Sequence, residues 1–165
     1  MRQLTLVLLV ALLFNTGGAY AQKSGHLEWQ TDLMKAMEIS NKTHKPIFAF
    51  FTGSDWCGWC HKLQNEVFSK AEFIKWAKDH VILLEVDFPR GKQLPQELMA
   101  QNSKLQQTFK VQGYPTCWLF NMTKDPATNN FSIQALGSLG YPSDATQGKE
   151  EVAFLKTANG ILANK

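Results

Sequence analysis

The chain of 165 residues reads as an α/β fold in which a central mixed sheet carries helices on both faces. Three observations lead there. Residues 47–51 are a continuous apolar run and 81–86 an apolar run interrupted only by Glu85, both short enough to be strands buried on both sides. Segments with helical apolar spacing separate these runs, so both faces of the sheet are to be covered. Two further strand-like runs late in the chain, joined by a polar stretch, add an antiparallel edge. Hydrophobic residues make up 44% of the chain and charged residues 19%, which places it among globular rather than disordered sequences.

The first segment reads as an address. Arg2 gives a short positive start, residues 4–14 are apolar apart from Thr5, and Ala19-Tyr20-Ala21 offers small residues at signal-peptidase spacing. Asn15, Gly17 and Gly18 end the apolar run well short of the ~20 residues that span a bilayer. Residues 1–21 are thus expected to be a signal peptide, leaving a domain over 22–165 in a periplasmic or secreted setting where disulfides persist.

In the domain, Trp29, Leu33, Ala36 and Met37 recur at helical spacing from about Thr31-Asp32 to Lys42, and Lys45-Pro46 ends that helix. The strand 47–51 follows, then Thr52-Gly53-Ser54-Asp55 as turn chemistry. A helix starting near Cys57 carries Leu63 and Val67 inward. Ser69-Lys70-Ala71-Glu72 matches a capping box for the next helix, with Phe73, Ile74, Trp76 and Ala77. The strand 81–86 ends at Asp87 and Pro89. Pro95 opens a helix with Leu98, Leu105 and Phe109 on one face, and Gly113-Tyr114-Pro115 interrupts the chain. A strand at 116–120, a polar hairpin loop at 121–130, a partner strand at 131–136 and a closing helix at 150–162 complete the order.

Seventeen Lys and Arg against fourteen Asp and Glu leave a net charge of +3 without a basic run, so nucleic-acid binding has no electrostatic footprint. Three cysteines are too few for a disulfide scaffold. Two of them form Cys57-Gly58-Trp59-Cys60, at the junction of an apolar strand and a helix. There the Cys57 sulfur faces unpaired backbone N–H groups and the positive end of the helix dipole, which stabilises a thiolate. Cys60 lies a turn deeper. The division of labour follows: Cys57 attacks a disulfide and Cys60 resolves the mixed disulfide.

The same pattern admits other chemistry. Cys57-x-x-Cys60-His61 is the attachment pattern of c-type haem, with Met99 or Met122 as the opposite ligand. Cys57, Cys60, His61 and Cys117 would make a zinc set, although structural zinc sites more often pair two such knuckles. Cys117, on a buried strand, is otherwise a small hydrophobe or a third redox thiol. Trp56 is either core beneath the loop or part of an apolar rim, Trp59 an exposed contact residue, and Asp55 and Lys62 by default solvated.

The run from Thr52 through Trp56, Cys57, Gly58, Trp59, Cys60, His61 and Lys62, with Leu84-Glu85-Val86-Asp87-Phe88-Pro89 and Tyr114-Pro115-Thr116, resembles the thioredoxin superfamily, and in particular its exported bacterial members. The resemblance extends over residues 27–162. It implies a thioredoxin-like fold, a cis bond before Pro115, and a substrate backbone docking along Tyr114-Pro115, with Trp56, Gly58 and Trp59 as further contacts. It also implies a redox-active disulfide in place of any cofactor or metal, protein substrates, a membrane electron donor and a monomer. Three departures stand out. Trp59 replaces the proline of thioredoxin between the cysteines, so the redox potential does not carry over. Phe51 stands where thioredoxin has a buried acid, leaving Glu85 or a water as candidate proton acceptor for Cys60, against a surface or capping role for Glu85. The stretch between Cys60 and Pro115 is longer, with the surplus around residues 90–102. A disulfide donor, or a binding module that keeps the pair for structure or metal, are the alternatives to a reductase.

Overall fold

The computed structural model describes residues 27–164; the signal peptide expected at residues 1–21 lies outside them. The elements are β1 (Trp29–Gln30), α1 (Leu33–Thr43), β2 (Ile47–Thr52), α2 (Gly58–Leu63), a π-helical turn (Gln64–Phe68), α3 (Ala71–His80), β3 (Ile82–Asp87), α4 (Gln96–Thr108), β4 (Thr116–Lys124), β5 (Phe131–Leu139) and α5 (Glu150–Ala163). The five strands form one sheet in the order β1-β3-β2-β4-β5. β1 and β2 run parallel to β3, whereas β4 is antiparallel to both β2 and β5. The sheet is therefore mixed.

Alternation along β2 divides the core in two. Phe48 and Phe50 point into a cluster with Cys57, Cys60, Leu63, Phe68, Phe73, Trp76, Phe154 and Ala158, under α2, α3 and α5. Ile47, Ala49 and Phe51 point the other way, among Ala36, Met37, Leu105 and Phe109 of the α1 and α4 side. All six residues of β2 are buried, the reason residues 47–51 are a continuous apolar run.

Four elements differ from the sequence reading. Trp29 belongs to β1, paired with Leu83, rather than to the first helix, which begins after Asp32. The Asp32 carboxylate caps α1 by accepting the N–H groups of Met34 and Lys35. Ser69 does not cap α3; its hydroxyl donates to the Asn65 carbonyl (2.7 Å), tying off the π-helical turn, and Lys70 is the N-cap. The polar stretch 121–130 is mostly strand at its start. β4 continues to Lys124 and pairs with a β5 that extends to Leu139, so the true turn is confined to 125–130.

Register fixes where the ends meet. Thr52 lies opposite Asp87 at the ends of the parallel pair, and Phe51 lies opposite Thr116 at the start of β4. The exit of β2 toward Cys57, the exit of β3 and the segment preceding β4 thus converge on one edge of the sheet.

Candidate active site

Cys57 and Cys60 are joined as a disulfide (S–S 2.07 Å, Cα–Cα 5.2 Å). Cys57 is the N-cap of α2 with extended backbone, and its sulfur accepts the N–H of Cys60 at 3.2 Å. The sulfur occupies the place an oxygen takes in an ordinary cap, at the end of the helix that favours negative charge. Cys57 keeps 5% of its surface exposed and Cys60 none, so only Cys57 has a face toward a partner.

Two loops are locked together beneath the pair. The Ser54 N–H donates to Asp87 Oδ1 (2.8 Å) and the Ser54 hydroxyl to Oδ2 (2.6 Å). In the reverse direction, Asp55 accepts the backbone N–H groups of Arg90 (3.0 Å) and Gly91 (2.5 Å). Those bonds hold the Asp55 carboxyl below its ordinary range. Trp56 Nε1 donates to the Phe88 carbonyl (2.8 Å), and His61 Nε2 donates to the Ser54 carbonyl (2.8 Å). From α4, the buried Asn102 donates its Nδ2 to the Asp87 carbonyl (2.9 Å). Loop 53–56 is thereby fixed to loop 87–91 by side chains from both.

The Tyr114–Pro115 peptide bond is cis. Tyr114 stacks on Phe88 (5.3 Å, 16°) and meets Trp56 edge-on (5.9 Å), while its hydroxyl accepts from Gln106 Nε2 (2.8 Å). Burial raises the Tyr114 hydroxyl above its ordinary range. Trp56, 38% exposed, is neither pure core nor free rim: one edge is bonded to Phe88 and the Arg90 guanidinium lies 3.8 Å from its ring centre. On the other side of the pair, Trp59 is 56% exposed and packs on Tyr141 (5.1 Å). Lys62 stands over both rings, and the Tyr141 hydroxyl donates a short hydrogen bond to Glu66. Gly58 lies between, with open space around its Cα.

Glu85 pairs with Phe50 and is half-buried, two residues along β3 from Leu83, hence on the sheet face that carries the cysteines. Burial, then the nearby Asp87, raises its carboxyl above the ordinary range. Cys117 pairs with Phe50 from β4 and is wholly buried, which drives its thiol well above the usual range and keeps it neutral. Of the residues the haem pattern would use, His61 Nε2 is bonded to the Ser54 carbonyl and Met122 is buried in the cluster on the opposite face of the sheet. Among the described residues, no three His, Cys, Asp or Glu side chains converge as a metal site.

The sequence reading missed Asp87, Ser54, Phe88, Arg90 and Tyr141. Turn residues at 54–55 and 87–91 were the available signal, but their pairing spans more than thirty residues of chain.

This fold with a Cys-x-x-Cys pair at a helix start is that of a thioredoxin-like domain. Residues 33–129 match that family, and the chain belongs to it. Among individual proteins, the chain is 41% identical over 92 residues to the disulfide bond reductase DsbH of Chlamydia pneumoniae, covering 56% of this chain and 55% of that protein. It is 27% identical over 125 residues to the thioredoxin-related protein DsbJ of the same organism, covering 76% of this chain and 34% of that one. The alignments thus span about half and about a third of those relatives. A solved DsbH oxidoreductase superposes with a TM-score of 0.69 at 30% identity, over 86% of this chain and 88% of the other. A thioredoxin from Thermus thermophilus shares the fold, at a TM-score of 0.56 and 14% identity over 82% and 87% of the two chains.

Proposed function

We propose that the chain is a thiol–disulfide oxidoreductase that reduces disulfides in exported proteins. The observation that carries this reading is the asymmetry of the pair: Cys57 is an N-cap that keeps a small accessible edge, and Cys60 is sealed. The Cys57 thiolate attacks one sulfur of a substrate disulfide, and the electron pair of the broken S–S bond leaves on the other substrate sulfur. Cys60, losing its proton, then attacks the Cys57 sulfur and expels the second substrate thiolate. Two electrons have passed to the substrate, and the Cys57–Cys60 disulfide remains.

The N-cap position, at the positive end of α2, favours the charged form of the Cys57 sulfur. Glu85 is the proposed acceptor of the Cys60 proton, since a carboxyl with a raised affinity for protons serves that role near neutral pH. Tyr114 and Pro115 offer the edge along which an extended substrate segment lies, with Trp56, Gly58 and Trp59 against its side chains. No cofactor or metal takes part, because the disulfide itself carries the electrons. The reductive direction is supported by the reductase among the relatives. Export rests on the N-terminal pattern, and a membrane electron donor would return the pair to the dithiol. A monomer suffices for the reaction.

The test is trapping. A Cys60→Ser variant, incubated with a disulfide-bonded protein, is expected to accumulate a mixed disulfide through Cys57 that dithiothreitol releases. Cys57→Ser should form none while remaining folded. Absence of any adduct with Cys60→Ser overturns the reading.

A further inference from the structure

The two tryptophans beside the cysteines each carry a cation, but in unlike settings. Lys62 stands 5.1 Å from the Trp59 ring centre and 4.9 Å from that of Tyr141, where the Tyr141 hydroxyl, Glu66 and Glu150 hold its proton. Its charge is answered locally. Arg90 lies 3.8 Å over Trp56, the residue preceding Cys57, and among the described residues its guanidinium forms no ion pair.

The acids near Arg90 are already engaged. Asp55 accepts the backbone N–H groups of Arg90 and Gly91, and Asp87 accepts both groups of Ser54 and the Lys92 ammonium (3.4 Å). Asp55 grips the Arg90 backbone while Trp56 supports the side chain, so the guanidinium is ordered before anything binds. Stacking uses the face of the group and leaves its N–H edge free, and that edge matches a carboxylate in a two-bond fork.

Resting on the oxidoreductase reading, we propose that Arg90 is a specificity-determining residue, which receives an acidic side chain of the substrate next to the cysteine that Cys57 attacks. The preferred substrate is a polypeptide disulfide with Asp or Glu close to one of its cysteines. The Trp59 side, with its own acids, gives no matching attraction, so the preference has one sense along the groove.

The experiment compares single-turnover exchange between the reduced protein and three oxidised peptides that differ only in Asp, Ser or Lys beside a cysteine. At low ionic strength the Asp peptide should react about fivefold faster than the Ser peptide, the size of a well-formed exposed ion pair, with the Lys peptide slowest. Arg90→Ala should bring the Asp-to-Ser ratio near one. Arg90→Lys, a point charge without the fork, should leave an intermediate ratio. Salt at about 0.5 M should compress the wild-type ratio by screening. A wild-type ratio of one, or a ratio that survives Arg90→Ala, overturns the role of Arg90 while leaving the oxidoreductase reading standing. Failure of every peptide to exchange overturns the oxidoreductase reading, and the role of Arg90 with it.

Discussion

A half-buried carboxyl on the sheet face of the cysteines, with a raised proton affinity, sets up a test at the scale of one residue. Glu85 loses solvation on folding and gains the company of Asp87, and both act against its charge. For an acid raised in the folded state, the cost to folding appears as pH climbs through the unfolded value near 4.5 and is complete above the folded one. Glu85→Gln removes the charge and should therefore raise stability at pH 7, with the gain vanishing below about pH 4. If Glu85 also takes the Cys60 proton, the same variant should slow release of the mixed disulfide by about tenfold or more near neutral pH. Denaturant unfolding at two pH values and stopped-flow exchange measure the two effects. A variant that is stabilised and equally fast would leave Glu85 with no part in proton transfer. Asp55, an exposed acid, has the opposite sign: its carboxyl is held down by two backbone N–H groups, and it supports the loop as an anion.

At the scale of elements, the site depends on how one loop lies on another. Gly53 packs so tightly under Trp56 that a Cβ there would come within 2.3 Å of the indole. Gly53→Ala should therefore push the indole off the Phe88 carbonyl and off the Arg90 guanidinium, costing about 1–3 kcal/mol as overpacking does. A change in tryptophan emission together with a lowered unfolding midpoint is the expected outcome; an unchanged midpoint would mean that the loop yields freely. The clamp explains what was legible and what was not. β2 declares itself because a strand covered on both faces is apolar along nearly its whole length, and β3 by the apolar residues on either side of Glu85. The cysteines declare themselves by spacing and by their place after a strand. β1 has only two residues, too few for a period, and gains strand character from Leu83 and Leu84 alongside it. Residues 121–124 are polar enough to read as loop, yet the ladder to β5 takes them in. Ser69 fits a capping pattern, but the Asn65 carbonyl left by the π-helical turn is the nearer partner for its hydroxyl. Asp55 reads as a solvated turn acid because the N–H groups it binds come from the other loop.

At the scale of the whole molecule, the redox pair contributes little to holding the fold. The ring closed by Cys57 and Cys60 spans a sequence separation of three, and the chain-entropy relation assigns so small a loop about 2 kcal/mol. Phe48, Phe73, Phe154, Ile47, Phe51 and Phe120, fully buried on the two faces of the sheet, hold the domain together without it. The reduced protein should stay folded, so the stabilities of both redox forms are measurable. Their difference equals the difference between the potential of the pair in the folded domain and in the unfolded chain, with 30 mV corresponding to about 1.4 kcal/mol. A strong oxidant has its reduced form stabilised; a reductase has the reverse. The N-cap hydrogen bond from Cys60 to the Cys57 sulfur favours the thiolate, whereas burial of Cys60 disfavours leaving a second charge there. For a reductase the second effect prevails, and guanidinium unfolding of the oxidised and dithiol forms should show the oxidised one to be more stable by about 1–2 kcal/mol, with similar denaturant slopes. A more stable dithiol form would reverse the direction of electron flow and make the domain a donor of disulfides, with the same cysteines and the same groove.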